Sequence, residues 1–121
     1  MILVSPAADD IWVVVPEGRL DLTAAGELEE TLIGLLNEGR SRLIVDCSRV
    51  TYIASAGLRV LVIALRRARN LKGDFHLIGV SGNLQQVLQM SGLEAIFTIH
   101  PTLAEAVAAL QAGAPSTTTT F

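Results

Sequence analysis

Short β-rich runs alternate with longer amphipathic segments along almost the entire chain, and this alternation limits the possible folds more than any single motif. Two apolar runs, ILV and IWVVV, flank the polar stretch SPAADD and predict a β-hairpin. Helical and strand patterns then follow in the overall order β-β-α-β-α-β-α-β-α. Strands separated by helices usually pair in parallel. We therefore predict an α/β domain with a mixed, mostly parallel sheet of four to five strands and about four helices.

The helical segments carry their own start and stop signals. In the first one, GRLDLTAAGELEETLIGLLNEG, the apolar positions share one face, Thr23 is the expected N-cap and Gly39 the expected stop. The last one, PTLAEAVAAL, begins with a capping box formed by Thr102 and Glu105. Between helices, RLIVDC is a continuous apolar run, which is typical of a strand buried on both faces. The loops that follow such strands, including residues 46–52, form the usual functional edge of an α/β sheet.

Composition and charge restrict the class of protein. Half of the 121 residues are hydrophobic, which is enough for one folded domain, and we place it at residues 1–112. The Thr-rich residues 113–121 are expected to form a flexible tail. A net charge of −3 and an aromatic content of 4% argue against binding of nucleic acid. The apolar runs are too short for membrane insertion, no secretory signal is present, and a single cysteine suits a reducing compartment, so we expect a cytoplasmic protein.

The residues that most often carry chemistry do not form a recognisable constellation. His76 and His100 have no further His or Cys at metal-ligand spacing, and we expect structural or surface roles for both. Cys47 ends an apolar strand and is expected to be a buried, inert thiol. The phosphate-binding patterns GxxxxGK[ST] and GxGxxG are absent from the sequence. We therefore predict no metal, no cofactor and no enzymatic activity.

Two aspartates have structural explanations and one chemical alternative. Asp21 is expected to help start the first helix, and Asp46 to tether a loop through backbone hydrogen bonds. A small enzyme that uses Asp21, Asp46 and Ser55 is the least favoured alternative, because no motif places a base such as His beside Ser55.

The stretch YIASAGLRVL places one hydroxyl group, that of Ser55, among small residues where a helix begins. As an N-cap, Ser55 would stabilise the helix by roughly 1 kcal/mol. Alternatively, Ala54, Ala56 and Gly57 keep the first amides sterically open, and the positive end of a helix favours an anion. A phosphate on Ser55 would add roughly −1.5 to −2 charges there without melting the helix. The residues alone leave both interpretations open.

Several longer segments, taken in order, resemble a known family. GRLDLTAAGEL followed by LIVDCSRVTYIASAGLRVLV resembles the STAS domain family, in particular bacterial anti-sigma factor antagonists, and VLQMSGLEAIFTI and TLAEAVAAL resemble its closing elements. The similarity covers about residues 8–111. It implies the STAS fold and a protein that is not an enzyme. Such proteins bind an anti-sigma factor, which is also their serine kinase, and so free a sigma factor. Phosphorylation blocks the binding and a PP2C-type phosphatase restores it.

The resemblance also carries over to single residues. In the family pattern Asp-Ser-Ser/Thr/Ala-Gly-Leu the first Ser is modified, and here this residue is Ser55. The preceding Asp is replaced by Ala54, which removes a carboxylate that would help to orient the hydroxyl or the kinase. Asp21 matches an Asp before the first helix, and Asp46 with Ser48 matches the family's D-x-S element. We expect the partner-binding surface to include Asp21, Thr23, Ser48, Ala54, Ser55, Ala56, Gly57 and Leu58.

A second interpretation keeps the family but changes the function. The chain would then be a STAS-type scaffold, or a subunit of a membrane lipid-transport or signalling complex, without a phosphorylation switch. Ser55 would serve only as a helix cap in that case.

Overall fold

The computed structural model describes residues 2–112 of the chain. Its strands are β1 (Ile2–Ala8), β2 (Ile11–Pro16), β3 (Gly18–Leu20), β4 (Arg42–Asp46), β5 (Val50–Ile53), β6 (Asp74–Ile78) and β7 (Thr98–His100). Its helices are α1 (Leu22–Asn37), α2 (Ser55–Asn70), α3 (Gly82–Ser91) and α4 (Leu103–Gln111), with a short 3-10 turn at Leu93–Ala95. The predicted tail, 113–121, lies outside the described residues, and the domain boundary at residue 112 stays a prediction.

The main sheet has five strands in the order β1-β2-β4-β6-β7. β1 is antiparallel to β2, and every other neighbouring pair is parallel. The predicted mixed, mostly parallel sheet is therefore confirmed. The hairpin turn is shorter than the sequence suggested, because β1 continues through Ala8 and only Asp9 and Asp10 connect the strands. Asp10 has a φ of +62°, a conformation that Asp tolerates better than most residues.

A separate two-stranded parallel sheet, β3 with β5, was not predicted. The sequence pattern predicts a connection at residues 46–52, but Val50–Ile53 forms β5 and pairs with Gly18–Leu20. Strands of three and four residues are too short to show a hydrophobic period, so the pattern could not reveal them.

The core lies on both faces of the main sheet. β4 is inaccessible on both sides, with Leu43, Ile44 and Val45 each 0% exposed, which confirms the interpretation of RLIVDC. One face packs against α1, α2 and α3, and its fully buried side chains include Val14, Leu28, Leu32, Leu43, Leu61, Leu65, Phe75, Leu77, Leu84 and Leu88. α4 covers the other face, where the buried cluster is Ile11, Val13, Ile44, Ile78, Ala106 and Leu110.

Two of the predicted helix ends are as expected. Gly39, with a φ of +85°, follows α1, and its N–H donates to the carbonyl of Leu36. The Thr102 hydroxyl oxygen accepts the Glu105 N–H at 3.2 Å and caps α4. No helix among residues 2–112 combines the length and the apolar character needed to cross a bilayer.

Candidate functional site

The small sheet places the starts of α1 and α2 side by side. β3 and β5 are parallel neighbours with Leu20 opposite Ile53, and the Ala54 N–H donates to the Leu20 carbonyl at 3.0 Å. Paired strands lie about 4.8 Å apart, so the next residues along the chain, Asp21 and Ala54, are also neighbours. Each strand leads directly into a helix, because α1 begins at Leu22 and α2 at Ser55. The two sequence regions predicted to form the site therefore meet.

Asp21, not Thr23, caps α1. The backbone of Asp21 is extended, and its Oδ1 accepts the Ala24 N–H at 3.0 Å. The prediction that Thr23 is the N-cap is wrong, because β3 ends at Leu20 and Asp21 is the first residue that can take the capping conformation. Thr23 lies exposed in the first turn of α1. The expectation that Asp21 helps to start this helix is confirmed.

The start of α2 has no side-chain cap. Ala54 occupies the N-cap position, and its carbonyl accepts the N–H groups of Gly57 and Leu58 at 2.9 and 3.2 Å. Ser55 is the first helical residue, so the interpretation of Ser55 as an N-cap is wrong. Its side chain is exposed. Within residues 2–112, the backbone N–H groups of Ser55 and Ala56 have no hydrogen-bond partner.

The electrostatics of this helix end favour a negative charge. α2 has 16 residues, carries no acidic side chain in its first turn and has Arg67 and Arg69 in its last turn. Unpaired N–H groups and the helix dipole give the start of α2 a partial positive charge. A phosphate ester on the exposed Ser55 hydroxyl would lie beside these groups, which makes the site chemically suited to serine phosphorylation.

Gly57 lies beneath this surface. A Cβ atom at Gly57 would be 2.7 Å from Ile53 Cγ1 and 3.3 Å from Leu20 Cβ, so the first turn of α2 packs directly against β3 and β5. Gly57 is buried, whereas Leu58 is half-buried and packs against the main core. Any contribution of Gly57 to docking is therefore indirect, through the position of the first turn. Ala56 is half-buried and borders a groove.

That groove, of about 270 Å³, runs between α1 and α2 and is lined by Ala56, the residue after Ser55. Leu22, at the start of α1, is 77% exposed at one end of it. The lining of the groove also includes one acidic and one basic side chain, so its surface is partly apolar and partly charged. The sequence pattern does not indicate a surface role for Leu22, because an apolar residue at a helix start is usually assigned to the core. The groove is lined by Leu22, Ala25, Gly26, Glu29, Ala56, Arg59, Val60 and Ile63.

Ser48 and Asp46 lie at the other end of β5. The Ser48 N–H donates to Asp46 Oδ1 at 2.9 Å, which confirms Asp46 as a loop tether. Ser48 is exposed and borders a different depression, near Gly79 and His100. The four residues of β5 span about 10 Å, so the structure does not bring Ser48 or Asp46 to Ser55.

Cys47 follows β4 and is 4% exposed. Burial, with a smaller contribution from the charge of Asp46, raises the pKa of the thiol to about 12. The thiol therefore stays protonated at neutral pH, and the expectation of a buried, inert cysteine is confirmed.

The two histidines form a chain of polar contacts that the sequence did not indicate. His76 Nε2 lies 3.2 Å from Asp74 Oδ2, and His100 Nε2 lies 3.2 Å from His76 Nδ1. Arg69 Nε donates to Asp74 Oδ1 at 3.2 Å. Asp74 and His76 are buried, in agreement with a structural role for His76. The contact arises because β6 and β7 are parallel neighbours, which residue spacing along the chain does not reveal.

Fold and site together define a mixed α/β domain with an exposed serine at the start of its second helix. The sequence pattern of the STAS domain family matches residues 3–106, and the chain belongs to this family. It is 28% identical to BtrV of Bordetella bronchiseptica over 107 residues, 88% of this chain and 92% of BtrV. It is also 28% identical to an anti-sigma-B factor antagonist of Staphylococcus epidermidis over 92 residues, 76% of this chain and 85% of that one. The crystal structure of TM1081 from Thermotoga maritima superposes with a TM-score of 0.85 at 25% identity, covering 92% of this chain and 95% of TM1081.

Proposed function

We propose that this protein is an anti-sigma factor antagonist that binds an anti-sigma factor with serine kinase activity and is switched off by phosphorylation of Ser55. The names of its relatives support antagonism of an anti-sigma factor. The switch at Ser55 is supported by one observation above all others. The hydroxyl is exposed at the first position of α2, where it does not cap the helix and adjoins two unpaired backbone N–H groups.

The docking surface in this proposal is centred on the starts of α1 and α2. It combines the exposed Leu22, the groove beside it and the exposed polar residues Asp21, Thr23 and Ser55. A phosphate at Ser55 adds charge and bulk at the edge of the groove while its charge is favourable for α2. It therefore blocks the partner without unfolding the domain.

The remaining parts of the switch belong to other chains. ATP and the kinase active site are supplied by the anti-sigma factor, and a PP2C-type phosphatase removes the phosphate. Because a sigma factor acts on RNA polymerase, the proposal locates the protein in the cytoplasm.

Ala54, in place of the family Asp, affects the rate of Ser55 phosphorylation more than the affinity for the partner. The family Asp at this position is missing, and the carboxylate of Asp21, which follows the paired strand β3, is engaged by the Ala24 N–H. No side chain at position 54 can therefore orient the Ser55 hydroxyl. We expect phosphorylation to depend on groups that the kinase itself supplies.

The test begins with a pull-down from the source cell, using the unphosphorylated full-length protein as bait. The captured anti-sigma factor is then incubated with the protein and ATP, and the Ser55 peptide is analysed by mass spectrometry. We expect one phosphate on Ser55, none on a Ser55→Ala chain and unchanged modification of a Ser81→Ala chain. Ser81 is a matched control, because it is also an exposed serine at a helix start without a side-chain cap. A stable complex without a phosphate on Ser55 would instead favour the STAS-type scaffold.

A further inference from the structure

The backbone N–H of Ile53 faces the edge of the small sheet where no strand lies. The Ala54 N–H points to β3 and donates to Leu20, and successive N–H groups of a strand point to opposite sides, so that of Ile53 points away. Among residues 2–112 this sheet consists of β3 and β5 only. Asn83 Oδ1 accepts the Ile53 N–H at 2.9 Å, in the place that a further strand would occupy.

This hydrogen bond joins two elements that are distant in sequence. Asn83 lies in the first turn of α3, 30 residues after Ile53. An Asn side chain near a helix start commonly bonds to the backbone of its own helix. Here the Asn83 oxygen instead accepts an N–H from β5. The N-cap residue of α3, Ser81, also makes no side-chain hydrogen bond to the helix. The bond is half-buried, so losing it would leave the Ile53 N–H poorly solvated.

The position of Ile53 determines the position of the first turn of α2. Ile53 is 3% exposed, and its side chain fills the space next to Gly57 in the first turn of α2. A shift of Ile53 therefore moves the backbone on either side of Ser55. We infer that Asn83 is a positioning residue, which fixes the end of β5 and thereby holds the Ser55 hydroxyl in the geometry that its kinase requires.

The first measurement does not depend on the proposed function. Amide hydrogen exchange, followed by NMR on the full-length chain, reports the protection of the Ile53 N–H. Asn83→Ala should reduce this protection by about 10-fold, the size expected for one hydrogen bond, and should shift the Ser55 amide signal. Asn83→Asp keeps an acceptor oxygen and should restore both the protection of the Ile53 N–H and the position of the Ser55 amide signal. Asn37→Ala also removes the acceptor of a hydrogen bond between distant elements, an exposed one from Arg67 Nη2 at 3.1 Å, and should leave both signals unchanged.

The second measurement rests on the proposed function and uses the kinase identified by the pull-down. A displaced hydroxyl lowers the rate of phosphate transfer more than it weakens docking. We therefore expect Asn83→Ala to lower kcat for Ser55 about 10-fold or more with KM within about 2-fold, and Asn83→Asp to recover most of kcat. Asn37→Ala should change neither constant, which separates positioning from a general loss of stability.

The outcomes distinguish the two proposals. Unchanged Ile53 protection in Asn83→Ala, or unchanged kcat despite lost protection, would overturn the role of Asn83. If the wild-type chain is not phosphorylated at all, the proposed function fails, while the exchange data still decide whether Asn83 positions Ile53. Should Asn83→Ala not fold, Asn83→Gln, which displaces the amide by one methylene, must show the same loss of Ile53 protection.

Discussion

Asp21 and Ala54 occupy equivalent places at the ends of two paired strands, but only Asp21 has a side chain that can cap a helix. In α1 the Asp21 side chain accepts the Ala24 N–H. In α2 the equivalent N–H, that of Gly57, donates to the backbone carbonyl of Ala54. The residue after each cap then has a different role. Leu22 presents an apolar surface, whereas Ser55 presents a hydroxyl group next to a partial positive charge.

Replacing Ser55 by Asp tests this electrostatic argument. A carboxylate in the first turn interacts favourably with the helix dipole, by about 0.3–1 kcal/mol, so the free energy of unfolding should stay equal or rise slightly. Partner binding should weaken, because the charge lies at the edge of the docking surface. Thermal unfolding and titration calorimetry with the anti-sigma factor measure the two effects.

Ser55→Lys is the matched control for the sign of the charge. It places a cation at the positive helix end and should lower the melting temperature relative to Ser55→Asp. Equal melting temperatures in low salt, where such interactions are least screened, would contradict a positive start of α2.

The sequence could predict the accessible serine but not the residues that hold it. The small neighbours Ala54, Ala56 and Gly57 indicated an open helix start, because their size is visible in the sequence itself. The role of Asn83 depends on a contact between residues 30 positions apart, and no pattern along the chain encodes it. Asp21 and Thr23 are both good caps by residue type, and only the end of β3 decides between them.

At the scale of elements, long periodic segments were predictable, whereas the two strands of the small sheet were not. α1 and α2, of 16 residues each, show a helical period over several turns, and β4 is a continuous apolar run. β3 and β5 have three and four residues, and what stabilises them is mutual pairing. These two short strands determine the position of the candidate site, because they lead into α1 and α2. Here the sequence pattern was weakest where the functional geometry is determined.

Two glycines in α1 offer a test at this scale. Gly26 and Gly34 are exposed within the helix, and a Cβ atom at either position would meet nothing within 4 Å. Changing either one to Ala should raise the free energy of unfolding by about 0.5–1 kcal/mol, because Gly is a poor helix former. Chemical denaturation measures the gain.

Only one of the two variants alters the groove. Gly26 lines the space between α1 and α2, whereas Gly34 does not. If the partner occupies this groove, Gly26→Ala should weaken binding several-fold while Gly34→Ala, equally stabilising, leaves the affinity unchanged. Equal affinities for the two variants would remove the groove from the docking surface.

At the scale of the whole molecule, the two faces of the main sheet differ in chemistry. The face under α1, α2 and α3 is apolar, whereas the α4 face carries the Asp74–His76–His100 chain beside its apolar cluster. Burial would raise the pKa of the Asp74 carboxyl, but hydrogen bonds from His76, the Phe75 N–H and Arg69 lower it overall. Asp74 therefore remains ionised throughout the neutral range.

The direction of the pH response at this face follows from His100. Burial first, and then the nearby His76, lower the pKa of His100, while Glu105 opposes the shift. The unfolded chain consequently binds a proton on His100 near pH 6.5, before the folded chain does. The stabilisation is present above about pH 6.5 and is lost as the pH falls from there through the lower pKa of the folded state. The charged and titratable groups of the surrounding elements are Asp74, His76, Arg69, Glu105 and Arg42, which lies opposite Asp74 on β4.

The chain has only two histidines, so between pH 7.5 and 5.5 few other side chains change their charge. We expect the melting temperature to fall over this range, and to fall less in His100→Gln, whose amide can still donate to His76 but does not titrate. NMR titration of the His100 ring should give a pKa below 6.5 in the folded protein. A melting temperature that is constant or rises toward pH 5.5 would contradict the lowered pKa of His100.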